Sequence, residues 1–202
     1  MLEVVSPAST GDLTLLATVK AELGITGSDQ DAVLTQMIHQ ASAGIARYCG
    51  RTTFARETYR QTEWPARAVP EIILDRDIEV SVDSVTLDDV ALAGSDWLLD
   101  GSRLRRMMQG RPSCWLACSK IVVEYQAGYE LLATLPYDLE RACIDLVKGL
   151  QGARQRDPAL RSERVLDLME VTYFGSAAAG QAGGLPPDVA ARLEPHRLYR
   201  FA

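Results

Sequence analysis

Residues 29–50, DQDAVLTQMIHQASAGIARYCG, decide the fold class of this chain. Apolar side chains recur there at every third or fourth position, which predicts a helix of about five turns with one buried face. The stripe consists of Leu34, Met37, Ile38, Ala41, Ile45 and Tyr48. Asp29 and Asp31 carry the negative charge that a helix N-terminus favours, and Gly50 is a typical residue at a helix end.

The same period appears in two other parts of the chain. Residues 15–23 predict a shorter helix that ends at Gly24. Residues 137–155 predict a long helix, because Pro136 suits a first turn and acidic residues come early while arginines come late. We expect these three helices to pack together as one small bundle.

Between the second and third helices the apolar period shortens to two. Stretches such as EIIL, IEVSVDSVTL and KIVVEY, separated by glycines and prolines, predict short strands in residues 52–130. Some of these strands are polar on both faces, which favours a small, thin-cored sheet. The sequence therefore predicts an α+β protein, with a helical core from residues 1–51 and 131–156 and a strand-rich lobe inserted between them.

Composition limits the classes of partner. The 202 residues carry a net charge of −6, whereas proteins that grip nucleic acid by its phosphates show a basic surplus. We expect no signal peptide and no membrane span, since no apolar run is long enough. Four scattered cysteines favour reduced thiols, and Cys114 and Cys118 would lie together in the core if their segment were a strand.

Candidate catalytic and metal-binding groups are sparse. The two histidines, His39 and His196, suit structural or interface roles, and neither a phosphate-binding loop nor a nucleophile motif is present. The pairs Asp75/Asp77 and Asp88/Asp89 are more typical of turns than of acid–base sites. We expect that the protein is not an enzyme and binds no cofactor. The basic residues cluster once, and this cluster could line a channel or meet an acidic partner: Arg103, Arg105, Arg106 and Arg111.

Residues 157–202 predict a C-terminal arm made of a strap, a flexible linker and a docking helix. The linker is GSAAAGQAGG, residues 175–184, and residues 187–194 form about two helical turns, too few to be stable alone in water. We expect this helix to dock on an external partner, while folding back onto its own domain is the alternative. The candidate contact residues are Leu185, Val189, Arg192, Leu193, His196, Arg197, Tyr199, Arg200 and Phe201.

The order of these segments resembles the head–tail connector, or adaptor, proteins of tailed bacteriophages and of related gene transfer agents. The stretches that carry the resemblance are LLATVKAELGITGSDQDAVLTQMIHQASAGIARYCGRT, KIVVEYQAGY, LPYDLERACIDLVKGLQGARQR, SERVLDLMEVTYF and LPPDVAARLEPHR. Together they cover more than half of the chain, whereas the middle, residues 53–115, matches only in general character.

The resemblance implies a structural virion protein without catalytic residues. Such adaptors form a dodecameric ring beneath the portal and continue the DNA channel toward the tail. The implied partners are the portal protein, neighbouring copies and a tail-side stopper, with DNA passing through the lumen unread. The implied location is the virion neck, reached from the host cytoplasm. A head-closure or tail-completion protein is the alternative, and a small enzyme or ligand-binding protein using the strand-rich lobe near Asp75, Asp77 and Arg103–Arg106 is a further one.

Overall fold

A computed structural model of the chain describes residues 1–131, 133–154, 162–165, 169–172 and 185–198. The chain divides into two units, each made of two segments. The strand unit comprises residues 1–10 and 55–133, and the helical unit comprises residues 11–54 and 134–202.

The strand unit contains nine strands among its described residues. They are β1 (Leu2–Ser6), β2 (Glu57–Glu63), β3 (Glu71–Ile73), β4 (Ser81–Leu87), β5 (Val90–Ala91), β6 (Trp97–Asp100), β7 (Arg103–Met108), β8 (Arg111–Ser113) and β9 (Ile121–Ala127). One sheet has the order β1-β2-β9-β4-β5, and the other has the order β3-β7-β6, with β8 also paired to β7. All of these strand pairs are antiparallel.

A single apolar cluster joins the two sheets of the strand unit. Val123 and Tyr125 of the five-stranded sheet belong to the same buried cluster as Ile72 and Leu104 of the smaller sheet. The buried Gln61 side chain adds polar links, because its amide nitrogen donates to the Ile73 carbonyl at 3.1 Å and its oxygen accepts from the Asp75 amide at 2.9 Å. The strands thus enclose a two-sided core rather than the single thin-cored sheet that the polar strands suggested.

The end of β9 requires a glycine. Gly128 has φ +115°, and a Cβ there would lie 2.3 Å from the Ala55 carbonyl oxygen. This close approach accompanies the bridge between Ala55 and Tyr129. Any larger residue would push the two segments apart.

The helical unit contains four helices and one hairpin among its described residues. They are α1 (Leu16–Leu23), α2 (Asp31–Tyr48), α3 (Tyr137–Arg154) and α4 (Pro187–Leu193), with the hairpin strands β10 (Ser162–Val165) and β11 (Met169–Thr172). Gly24 ends α1 in a left-handed conformation, φ 67°. Leu34 and Ile45 of α2 and Leu139 and Val147 of α3 are fully buried, as their 3.6-residue spacing predicts.

A small polar cluster lies inside the helical unit. The Leu13 amide donates to the Ser42 hydroxyl at 3.0 Å, and that hydroxyl lies 3.5 Å from the Cys143 sulfur. Burial raises the pKa of the Cys143 thiol to about 11, so this thiol stays neutral at physiological pH.

The α+β class and the three helices predicted from the apolar period are confirmed, with bounds that differ from the expected ones by at most two residues. The predicted position of residues 1–10 differs from the observed one. The sequence assigned residues 1–51 to the helical core, but β1 pairs with β2 and the first ten residues belong to the strand unit. The reason is tertiary pairing, since LEVVS is too short for its period to reveal a strand.

Candidate interaction surfaces

The C-terminal helix α4 packs against its own helical unit. Leu185, Val189 and Leu193 are buried, and α4 contacts α3. Pro187 begins the helix, where its missing N–H costs nothing. The apolar stripe identified in the sequence therefore faces α3 in this structure.

One ion pair and one histidine–carboxylate contact join this segment to acidic residues of α3. The Arg192 guanidinium donates to the Asp145 carboxylate at 2.7 Å. The His196 Nε2 lies 2.6 Å from the Asp138 carboxylate, and the His196 side chain is mostly buried. Both acids lie on one side of α3, seven residues or two turns apart, so they hold the end of α4 and the turn that follows it.

The residues after α4 also contact the end of α2. The Tyr48 hydroxyl donates to the Glu194 carboxylate at 3.1 Å, and the Arg197 guanidinium lies over the Tyr48 ring, 5.3 Å from its centroid. The Leu198 amide donates to the Cys49 carbonyl at 2.8 Å. Partial desolvation and the Glu194 carboxylate raise the pKa of Tyr48. The hydrogen bond from Leu198 satisfies a backbone carbonyl at the end of α2, where a helix leaves such groups without partners of its own.

The structure thus shows the second of the two alternatives for the described residues 185–198: the helix folds back onto its own unit. The physical reason is that burial of the stripe offsets the cost of ordering a helix too short to stand alone. Contact of this segment with an outside partner stays a prediction. Tyr199, Arg200 and Phe201 lie outside the described residues.

The four clustered arginines do not form one patch. Residues on opposite strands that are paired share a face, and alternate residues of one strand lie on opposite faces. Arg103 and Arg105 therefore lie on one face of the smaller sheet, while Arg106 and Arg111 lie on the other. The four arginines are close in the sequence, but closeness in the sequence does not tell which face of a sheet each residue occupies.

Three of these arginines have partners within the sheet or its core. Arg103 and Arg105 pair with Glu71, at 3.0 and 3.5 Å, and Arg105 also lies 3.6 Å from Asp100. Arg106 donates to the Asp96 carbonyl at 2.9 Å and lies over the Trp115 ring at 5.9 Å. The carboxylates of Glu71 and Asp100 balance the two arginines on this face. The sheet face that carries Arg103 and Arg105 therefore has little net positive charge.

The core position predicted for Cys114 and Cys118 is wrong. Both thiols are exposed, and Cys118 has φ 61°, which a strand does not allow. Trp115 is the buried residue of this segment, and its indole nitrogen donates to the Leu104 carbonyl at 3.1 Å. One bulky side chain fills the space, so the cysteines on either side turn outward.

The other candidate polar groups have local roles. Asp88 and Asp89 form a two-residue hairpin turn with φ 48° and 65°, which confirms that this pair belongs to a turn. His39 is more than half exposed and lies 2.5 Å from the Asp12 carboxylate. Within the part of the chain that the structure describes, no cluster of three or more His, Cys, Asp or Glu could hold a metal ion. No described helix is long and apolar enough to cross a membrane.

Two exposed apolar side chains lie beside hairpin turns and were not predicted from the sequence. They are Met108 and Val90, whose exposed fractions are 59% and 66%. Met108 lies beside the turn Gln109–Gly110, and Val90 follows the turn Asp88–Asp89. The aspartate and glycine residues of these turns could have located them.

One family match spans the helices of the helical unit and the strands of the strand unit. The model of a family described as head completion protein matches residues 12–149, which include α1 to α3 through Gly149 and the strands β2 to β9. The chain belongs to the head completion protein family. Among curated proteins, none matches this family member.

Three solved structures similar to this chain come from gene transfer agent (GTA) particles. A chain in the neck of an empty GTA particle, computed with C6 symmetry, is 20% identical with a TM-score of 0.59. A chain in the virion of a native GTA particle is 19% identical with a TM-score of 0.59, and one in the native neck, computed with C12 symmetry, is 18% identical with a TM-score of 0.60. Each match covers 100% of this chain and 97% of the other, and at these identities it shows a similar fold.

Proposed function

We propose that this head completion protein is a structural adaptor of the virion neck, forming a ring beneath the portal that continues the DNA channel toward the tail. The observation that carries the proposal is the family match across both units, residues 12–149. The shared fold with chains of GTA necks supports it, and the sixfold and twelvefold symmetries of those necks favour a ring, with twelve subunits as the expected number.

The proposed role is passive toward DNA. The net charge of −6 suits a conduit, because a wall rich in unpaired lysine and arginine would hold the phosphates and slow the passage of DNA. The arginines 103 and 105 support this view, since Glu71 and Asp100 neutralise them on their sheet face. DNA would then pass without sequence-specific contacts.

A structural role also accounts for the groups that an enzyme would use. The enzymatic alternative required Asp75, Asp77 and the arginines 103–106 to converge on a pocket. The contacts of those arginines go instead to Glu71, Asp100, the Asp96 carbonyl and Trp115, and the Asp75 amide binds Gln61. These contacts support a protein that acts by assembly rather than by catalysis.

The C-terminal segment is the proposed contact with the portal or with an adjacent subunit. Because Leu185, Val189 and Leu193 are buried in the helical unit, they would anchor the segment. Arg192 and His196 hold it to α3, and Arg197 stacks on Tyr48. The contact itself would then come from Tyr199, Arg200 and Phe201, which follow the anchor directly and are residue types enriched at interfaces.

A truncation after Leu198 tests this contact. Removal of residues 199–202 leaves the buried anchor intact, so we expect a folded protein that no longer binds portal rings in co-sedimentation. The matched control is the substitution Arg67→Ala, which removes an exposed cation from the strand unit and should leave binding unchanged. Full portal binding by the truncated protein would exclude residues 199–202 as the contact.

Ring formation is the test of the proposed function itself. Purified protein, alone and mixed with portal, is measured by size-exclusion chromatography with light scattering and imaged in negative stain. We expect rings of defined mass, either free or on the portal. A strict monomer that never joins a portal ring would contradict the proposal.

Head closure or tail completion is the second candidate, favoured by the family description itself. It differs from the adaptor role in position along the neck, since a closure protein would lie on the tail side of the adaptor ring. A reconstruction of the particle neck separates the two by showing whether this chain contacts the portal directly.

A further inference from the structure

Two hairpin tips of the strand unit are built alike. The turn Gln109–Gly110 joins β7 to β8 with φ 51° and 74°, and the turn Asp88–Asp89 joins β4 to β5 with φ 48° and 65°. Two positive φ values in a two-residue loop are the signature of a type I′ turn, whose twist matches that of the strands. Each turn therefore ends its hairpin in a narrow tip of fixed shape.

The first of these, residues 108–111, is called here the basic tip. Met108 and Arg111 are directly opposite each other in the β7–β8 ladder, and both are exposed. Met108 has 59% of its surface in water, although it is a large apolar residue. The basic tip thus presents one aliphatic side chain beside one cation.

The second, residues 87–90, is called here the acidic tip. Val90 has 66% of its surface in water. The Asp88 carboxylate accepts from the Lys120 amide, and the Asp89 carboxylate pairs with the Lys120 ammonium, each at 2.8 Å. Two carboxylates and one ammonium leave a net charge of −1. The Lys120 contacts hold the aspartates in place while the Asp89 side chain remains 77% exposed.

The two tips are complementary in charge, and each exposes one apolar side chain. A ring with cyclic symmetry above two uses a heterologous interface, in which one surface of a subunit meets a different surface of the next. Contact of a tip with its own copy would bring like charges together, which is unfavourable. Contact of the basic tip with the acidic tip instead joins opposite charges and covers two exposed apolar side chains.

We propose that the basic tip of one copy binds the acidic tip of the next copy in the ring. Arg111 pairs with Asp89 of the neighbour, and Met108 packs against Val90. Since this contact rests on the proposed function, it applies to the assembled ring and not to the monomer. The tips add to the ring interface and fix its direction, because each subunit gives one tip to each neighbour.

Charge reversal at the two tips tests the contact. The variants are Arg111→Asp, Asp89→Arg and the double variant, and ring mass is measured by light scattering over a dilution series. We expect each single variant to weaken association by at least about tenfold, since like charges then meet at a partly desolvated contact, and the double variant to recover most of the loss. The matched control is Arg67→Asp, the same charge change at another exposed arginine of the strand unit.

A cross-linking measurement gives a readout that does not depend on the stability of the charge variants. In a background where Cys114 and Cys118 are replaced by serine, Met108→Cys protein is mixed with Val90→Cys protein during assembly. Under oxidation we expect disulfide-linked dimers in the mixture, and much weaker linkage when either variant is assembled alone.

The outcomes separate this contact from the proposed function. If the wild type forms rings and both single-reversal variants form them equally well, the tip contact is overturned and the adaptor role stands. The same holds if the mixture of cysteine variants forms rings without the cross-link. Wild-type protein that forms no ring even on a portal overturns both.

Discussion

Replacing Leu193 by alanine should release the C-terminal helix without unfolding the helical unit. Leu193 has none of its side chain exposed and lies on the face of α4 that contacts α3. A helix of seven residues is not stable by itself in water, so its order depends on this face, on the Arg192 ion pair and on the His196 contact with Asp138. The structural consequence of the substitution should therefore be local.

The magnitude follows from complete burial. A Leu→Ala substitution at a buried site costs about 2–5 kcal/mol, which combines lost transfer free energy with the cavity that remains. If α4 opens independently of α3, the free energy of its local opening falls by the same amount. Amide exchange in residues 187–193 should then accelerate by about thirtyfold to several thousandfold.

Hydrogen–deuterium exchange with mass spectrometry measures this effect peptide by peptide. Peptides from α4 should exchange faster in Leu193→Ala, whereas peptides from the centre of α2 should keep their protection. The matched control is Leu116→Ala, the same chemical change at a side chain with 63% of its surface in water, which should leave α4 unchanged. Equal α4 protection in wild type and Leu193→Ala would refute the argument that this face holds the helix.

Three further substitutions test other parts of the structure. Gly128→Ala should destabilise the strand unit by more than about 2 kcal/mol in urea unfolding, because strain at positive φ adds to a backbone clash. In the control Gly94→Ala the added Cβ meets nothing within 4 Å, so the free energy of unfolding should change little. Gln61→Leu should cost about 2–5 kcal/mol by thermal unfolding, since it leaves buried hydrogen-bond partners unsatisfied; a neutral effect would contradict the role of this side chain in linking the sheets. Burial raises the pKa of Cys49 and Cys143 from 9.0 to about 11. Each neutral thiol should therefore contribute stability below pH 9 that is lost between pH 9 and 11. In the double alanine variant, the free energy of unfolding should fall less steeply over that range.

Local periodicity was sufficient to predict the helices and most strands. In α2 the spacing of apolar residues matches the helical repeat over the whole length, and each predicted stripe residue up to Ile45 is buried. In β9 the alternation of buried and half-buried residues from Ile121 to Ala127 is equally regular. These features depend on neighbours in the sequence, so the sequence alone reveals them.

Strand order and the position of β1 could not be predicted in the same way. β9 lies between β2 and β4, and β1 pairs with β2 across more than fifty residues of chain. Such pairing depends on contacts between distant segments and leaves no periodic signal in either one. The same limit explains Cys114 and Cys118, whose outward turn depends on the space that Trp115 fills in a core made by other strands.

The C-terminal helix shows how a correct physical argument can leave the partner open. Helix length and an apolar stripe establish that this segment must be docked, and they do not distinguish an intramolecular surface from an external one. Docking on α3 has a consequence for assembly. Because Leu193 and Val189 already hold the helix against α3, a partner contact proposed for the C-terminal segment would not have to supply the free energy that orders α4. The conformational entropy lost on binding is correspondingly small, which allows a few side chains to supply a useful affinity.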